Sequence, residues 1–141
     1  LAVRNKAEDA RDRLRAINLD DMIWPTAAGC YGRLCIQCGM ATEGMAALQK
    51  AVRSDNVLAI DRLALAEALI DHGDAEAALQ AMGAKGKPQD PLRWGIVRLK
   101  AMLVMDHPKA SSWAESLRTA HPASRSAIDS VMQAGQRESH D

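Results

Sequence analysis

The segment Gly39-Met40-Ala41-Thr42-Glu43-Gly44-Met45-Ala46-Ala47-Leu48 decides the reading of this chain. Moved 34 positions along, it falls on Gly73-Asp74-Ala75-Glu76-Ala77-Ala78-Leu79-Gln80-Ala81-Met82. Each copy has a glycine, then an acid, a small residue five after the glycine and a large apolar residue four later. A further 34 positions reaches His107-Pro108-Lys109-Ala110-Ser111-Ser112, with Ser112 at the small position. The same register aligns Tyr31, Leu65 and Leu99, and four residues on Cys35, Leu69 and Leu103. Self-similarity at such a period is the mark of stacked supersecondary units.

Working outward, the pattern predicts helices over about 26–38 and 42–53, then 57–71 and 75–82, then 91–105 and 108–119, each couple antiparallel. Ser54-Asp55-Asn56 separates the first two couples, and the run from Gly83 to Pro88 is a flexible connector. Asp90-Pro91 opens a helix with a capping acid and a proline in the first turn, and Pro108 is expected to do the same. The repeat pairs therefore occupy about 25–56, 57–90 and 91–121. One period upstream, Ala10 and Leu14 take the small and large positions, so 3–18 reads as the second helix of a repeat whose first helix is missing. With Leu1 at the start, this fits a piece of a longer array. Pro122 opens a last, capping helix to about 134, and 135–141 reads as a disordered polar tail within one domain spanning 1–134.

Composition agrees with helix packed on helix. Of 141 residues 26 are alanine, none is phenylalanine, and the aromatics are Trp24, Tyr31, Trp94 and Trp113. Ala and Leu are strong helix formers, and an alanine-rich core needs close backbone approach. All-β folds, which draw on β-branched and aromatic residues, are excluded. The 18 basic and 18 acidic residues cancel, which argues against nucleic acid as a partner. No apolar run approaches the ~20 residues of a membrane span. Three clustered cysteines suggest a reducing compartment, hence a cytoplasmic protein.

A 34-residue helix–turn–helix period with Gly39 and Gly73 in the turn, and Gly44, Ala78 and Ser112 where helices cross, resembles the tetratricopeptide repeat (TPR) family. Tyr31-Gly32 and Leu65-Ala66 match its large-then-small pair. The family's aromatic positions are mostly Leu, Cys or Met here, Asn56 replaces its closing proline, and Lys100 stands where a small residue is expected. An unrelated helical bundle is the competing arrangement. The resemblance implies an all-α, TPR-like α-solenoid whose first helices line an inner face that holds partners and performs no chemistry.

In this register the inner face presents Arg33, Ile36 and Gln37, then Ile60, Leu63, Glu67 and Ile70, then Trp94, Val97, Ala101 and Val104. Two readings stand: the terminal helix or neighbouring repeats cover this face, or it is a groove for an amphipathic helix or extended peptide. On the second, Ile36, Ile60, Leu63, Ile70, Trp94 and Val97 anchor the partner, while Arg33 and Glu67 set its polarity. Leu63→Asp or Trp94→Asp should then abolish capture with helical content intact. Family members that clamp acidic chaperone tails use Lys, Asn and Arg on this surface, which is mostly apolar here. The size and apolar face are similar to those of helical-repeat chaperones of bacterial type III secretion. The alternative is a regulatory or homo-dimerisation tail of a larger transcription regulator or signalling protein.

Other constellations point to structure. Cys30, Cys35 and Cys38 share a C-x4-C-x2-C spacing with three ligands of plant-type ferredoxins, but there is no fourth cysteine. Tyr31, Cys35 and Cys38 instead share one helical face and read as buried residues. His72, His107, His121 and His140 fall in turns and the tail, with no i, i+4 pair for a metal. Asp20-Asp21 and Asp71/Asp74 read as helix-end acids. Basic Arg4, Lys6, Arg11, Arg13 and Arg15 interleave with Glu8, Asp9 and Asp12 as a solvated, ion-paired face. No catalytic residue, metal or cofactor is assigned.

Overall fold

A computed structural model describes residues 2–54, 57–83 and 90–138. The chain is all-α: α1 (Ala2–Arg15), α2 (Pro25–Gln37), α3 (Ala41–Val52), α4 (Ala59–Asp71), α5 (Ala75–Met82), α6 (Pro91–Val104), α7 (Ala110–Ala120) and α8 (Arg125–Glu138). Short 3-10 turns at Leu19–Asp21 and Pro122–Ser124 precede α2 and α8. No strand occurs among the described residues. The predicted turn at Asp55-Asn56, most of the connector (84–89) and the last residues, 139–141, lie outside the described residues.

Local chemistry sets the helix starts. Pro25 and Pro91 occupy first-turn positions whose N–H groups have no helical acceptor. Asp74 accepts from the Ala77 amide and Asp90 from the Arg93 amide, both at 3.1 Å. The ends of the three first helices repeat one device. The amides of Gly39, Gly73 and Asp106 bond back to Ile36, Ile70 and Leu103, and those of Met40, Asp74 and His107 to Cys35, Leu69 and Met102. Each is a Schellman motif, with the αL position at φ 78°, 83° and 54°.

The helices pair α2 with α3, α4 with α5 and α6 with α7, and each pair packs on the next. In the first pair a Cβ at Gly44 would stand 2.8 Å from the Gly32 carbonyl oxygen, and one at Gly32 2.9 Å from that of Gly44. In the second, Ala66 and Ala78 are fully buried. The expected small position Gly44 thus lies at a close crossing, and Ala78 lies in the core.

The third pair departs from the expected phase. Helix α7 begins two residues after Pro108, at Ala110, because the turn is longer. From the αL residue to the next helix takes two residues at Gly39–Ala41 and Gly73–Ala75, and four at Asp106–Ala110. Ser112 is consequently exposed rather than at the crossing. There Gly95 makes room for Leu117, and the Trp113 indole N–H donates to the Gly95 carbonyl at 3.0 Å.

Among the described residues the core falls into three clusters. Leu14, Tyr31, Cys35, Met40 and Ala47 seat α1 on the first pair. Leu48, Leu65, Leu69, Ala78, Met82 and their neighbours join the pairs in the middle, and Leu99, Met102, Ala114, Leu117 and Ile128 join the third pair to α8. The last helix extends beyond the expected 134, through Glu138, because Gly135 packs closely on Leu103. The expected tail from 135 therefore begins as helix.

Candidate functional site

The first helices α2, α4 and α6 adjoin one another in chain order, and α8 extends the row beside α6. Two ion pairs hold it. Arg33 Nε donates to Asp61 Oδ1 at 2.7 Å between α2 and α4, and the Arg93 guanidinium donates to Glu67 Oε1 at 2.8 Å between α4 and α6. The expected polarity-setting residues Arg33 and Glu67 are thus tied to neighbouring helices.

Two adjoining cavities form a trough along this row. One, of about 380 Å³ between α4 and α6, is lined by Glu67, Ile70, Arg93, Ile96, Val97 and Lys100, among others. The second, of about 580 Å³, continues between α6 and α8 over Leu103, Val104, Val131 and Ala134. Ile70, Asp71 and Lys100 line both, so the two cavities meet at these residues. Aliphatic side chains alternate in the walls of the trough with Glu67, Asp90 and Arg93 at the α4–α6 end, and Asp71 and Lys100 line both cavities. Helix α8 packs on α6 and α7, and forms one wall of the trough.

The expected anchors divide by depth. Ile60 is exposed, while Ile36, Ile70 and Trp94 are half-buried and pack on the middle cluster. Of the expected anchors Leu63 and Val97 are buried, at 5% and 4% exposure, as is Ala101 of the inner face at 0%. Val97 still lines the α4–α6 cavity, whereas Leu63 lines neither cavity, which corrects its placement as a surface anchor. All three fill the spaces between pairs, because a helix packed on both sides presents only a narrow strip to solvent. An aspartate at Leu63 would therefore unfold the chain rather than test capture. Val104, at 49% exposure, has the accessibility expected of an anchor.

Several residues of the site escape the periodic reading. Asp61 is 1% exposed, and its Oδ2 has no hydrogen-bond partner. Burial raises its pKa, and the Arg33 guanidinium opposes that rise. Lys100 and Val131 also line the trough. Lys100 was readable as a large residue at a small position, whereas nothing in the 34-residue register marks Val131.

The cysteines sit at the far end of the row. Cys35 is fully buried, Cys38 half-buried and Cys30 exposed, and all three are free thiols. Burial pushes the Cys35 thiol up and the Tyr31 hydroxyl up to about 12. Tyr31 spends its proton on the Leu14 carbonyl at 3.2 Å. Arg11 donates to the Cys38 carbonyl and Lys50 to that of Leu19, both at 2.7 Å, which fastens the N-terminal segment to the first pair. On α1, Arg13–Asp9 and Arg15–Asp12 form the expected exposed ion pairs.

Among the described residues, no three His, Cys, Asp or Glu side chains are grouped to hold a metal ion, and no helix is long and apolar enough to cross a membrane. In comparison with known proteins, no family model, no curated protein and no solved structure matches the chain.

Proposed function

We propose that this chain is a non-catalytic protein-binding module of TPR-like repeats, a scaffold, adaptor or chaperone that holds an amphipathic helix or extended peptide of a partner. The two adjoining cavities that form the trough over α4, α6 and α8 carry this reading. A groove that combines aliphatic and charged lining suits an amphipathic segment with apolar residues at helical or alternating spacing. Asp71 and Lys100, which line both cavities, would set the segment's direction. The Schellman motif shared by the three turns and the Gly32–Gly44 crossing support the repeat assignment.

The test is affinity capture from the native host followed by mass spectrometry, with Val104→Asp as the discriminating variant. The partner should be recovered with the unaltered chain, lost with Val104→Asp and retained with Glu76→Lys, an exposed change on α5. Equal recovery with all three would exclude the trough.

Self-association is a second reading, favoured by one observation. Ile23 and Trp24, adjacent before α2, are 86% and 75% exposed. Adjacent large apolar side chains so open to water mark interaction surfaces. Sedimentation at increasing concentration should then show a dimer that Trp24→Ala abolishes, and a concentration-independent monomer would end this reading.

A further inference from the structure

We propose a second site, a pocket between α5, α6 and α7 that binds the phosphate of a small phosphomonoester. The pocket has a volume of about 320 Å³ and shares no lining residue with the trough. Arg98, His107 and Lys109 line it together with Leu79, Met102 and Trp113, and no acid does. In the trough, by contrast, Arg93 and Lys100 are accompanied by Glu67, Asp71 and Asp90.

The two full cations approach from different elements, Arg98 from α6 and Lys109 from the turn before α7. Neither is engaged in an ion pair among the described residues. The Arg98 guanidinium lies 4.9 Å from the Trp113 ring centroid, so the indole supports it through its face. That contact leaves the planar fork of N–H donors for an oxyanion. Lys109 directly precedes α7; its own amide donates to His107 Nδ1 at 3.1 Å and that of Ala110 to the His107 carbonyl at 3.0 Å, which leaves the Ser111 and Ser112 amides at the positive dipole end of the helix. The Ser112 and Ser116 hydroxyls donate to the carbonyls of Lys109 and Ser112, so the anion-binding donors are the cations and the helix start.

Departures from the repeat converge on this pocket. Arg98 stands in the 34-residue register of Cys30 and Ala64, neither of them charged. The turn that supplies His107 and Lys109 is the lengthened one, with Asp106 at φ 54° where the other turns have glycine.

Chemistry and size select the ligand. Arg98, Lys109 and the α7 start together offer more donors than the two oxygens of a carboxylate accept, and each charge-assisted bond gains from a dianion. A volume near the lower end of small-molecule pockets admits one compact ligand. The floor of Leu79, Met102 and Trp113 suits an apolar or aromatic body attached to the phosphate.

The test is titration of the full chain with phenyl phosphate, inorganic phosphate and benzoate, followed by calorimetry and by amide NMR shifts. Phenyl phosphate should saturate, with shifts centred on Lys109 to Trp113, and should bind about tenfold or more tightly than benzoate. Arg98→Ala and Lys109→Gln should each weaken binding by about tenfold. Both side chains are exposed, so circular dichroism should be unchanged. Lys100→Ala, in the trough, should leave affinity unaltered. Absence of saturation, benzoate binding as tightly as phenyl phosphate, or equal weakening by Lys100→Ala would each overturn the site. Inorganic phosphate binding as tightly as phenyl phosphate would overturn the role of the apolar floor.

Discussion

Asp61 of α4 lies buried against Gly29 of α2, with its Oδ2 in the space that any side chain at position 29 would fill. Its other oxygen accepts from Arg33 Nε at 2.7 Å, one turn further along α2. A glycine and an arginine four residues apart on one helix thus make a socket for a carboxylate from the next. The arrangement costs desolvation of Asp61, offset only in part by a short charge-assisted bond and by the solvent contact that Arg33 retains at about 31% exposure. It fixes how α4 lies along α2, at the end of the row away from the trough.

Removal of Arg33 should therefore be expensive. Arg33→Ala leaves a buried acid without its partner, and a loss of about 3 kcal/mol in urea denaturation at neutral pH is expected. In an Asp61→Asn background the same change should cost under about 1 kcal/mol, since no buried charge is stranded. Equal losses in both backgrounds would mean that Arg33 contributes by packing alone.

The pH dependence has a definite sign. Asp61 titrates above an ordinary carboxyl in the folded chain, with burial the largest cause, so the folded state holds its proton longer than the unfolded state. Stability from this group is therefore greatest in acid. It falls as pH rises from about 4, the ordinary carboxyl value, through the raised folded value. The difference in unfolding free energy between the unaltered chain and Asp61→Asn, followed across that window, should move in favour of Asn as pH rises. A difference independent of pH would contradict the burial of a titrating acid.

Much of this architecture is legible from spacing, for physical reasons that also mark its limits. Gly44 and Ala78 can be located from a 34-residue period because the first two turns have equal length, so phase carries over from pair to pair. At Asp106–Ala110 the turn gains two residues. From there the period points to Ser112, while the contact is made by Gly95 with Trp113 and Leu117. Depth is less legible than phase. Leu63 and Ile60 both fall on the predicted inner face, yet one is 5% and the other 38% exposed. A register assigns an angle around the helix and does not say how closely the neighbours approach. Arg33–Asp61 and Glu67–Arg93 join residues 28 and 26 apart, separations set by helix stacking and absent from any period of the sequence.

The Gly32–Gly44 crossing should resist even the smallest side chain. Alanine is the better helix former by about 1 kcal/mol. At Gly44, however, its Cβ would meet Ile36 Cγ1 at 2.6 Å and the Gly32 carbonyl oxygen at 2.8 Å. Backbone cannot yield as a side-chain tip can, so Gly44→Ala should destabilise by about 2 kcal/mol, read as a lower urea midpoint. A neutral or stabilising result would show that α2 and α3 pack less closely than this.

The three Schellman turns provide an internal comparison. Gly39 and Gly73 hold the αL position without a Cβ penalty, while Asp106 holds it at φ 54° with a side chain. Asp tolerates this region better than most residues, so the strain is modest. Asp106→Gly should then stabilise by about 0.5–1 kcal/mol, visible as a melting temperature about 2–5 °C higher. Gly73→Asp, where an added Cβ meets nothing within 4 Å, should cost a similar amount through backbone conformation alone. If Asp106→Gly destabilised while Gly73→Asp behaved as expected, the Asp106 carboxylate would have to be holding the lengthened turn, and with it His107 and Lys109, in place.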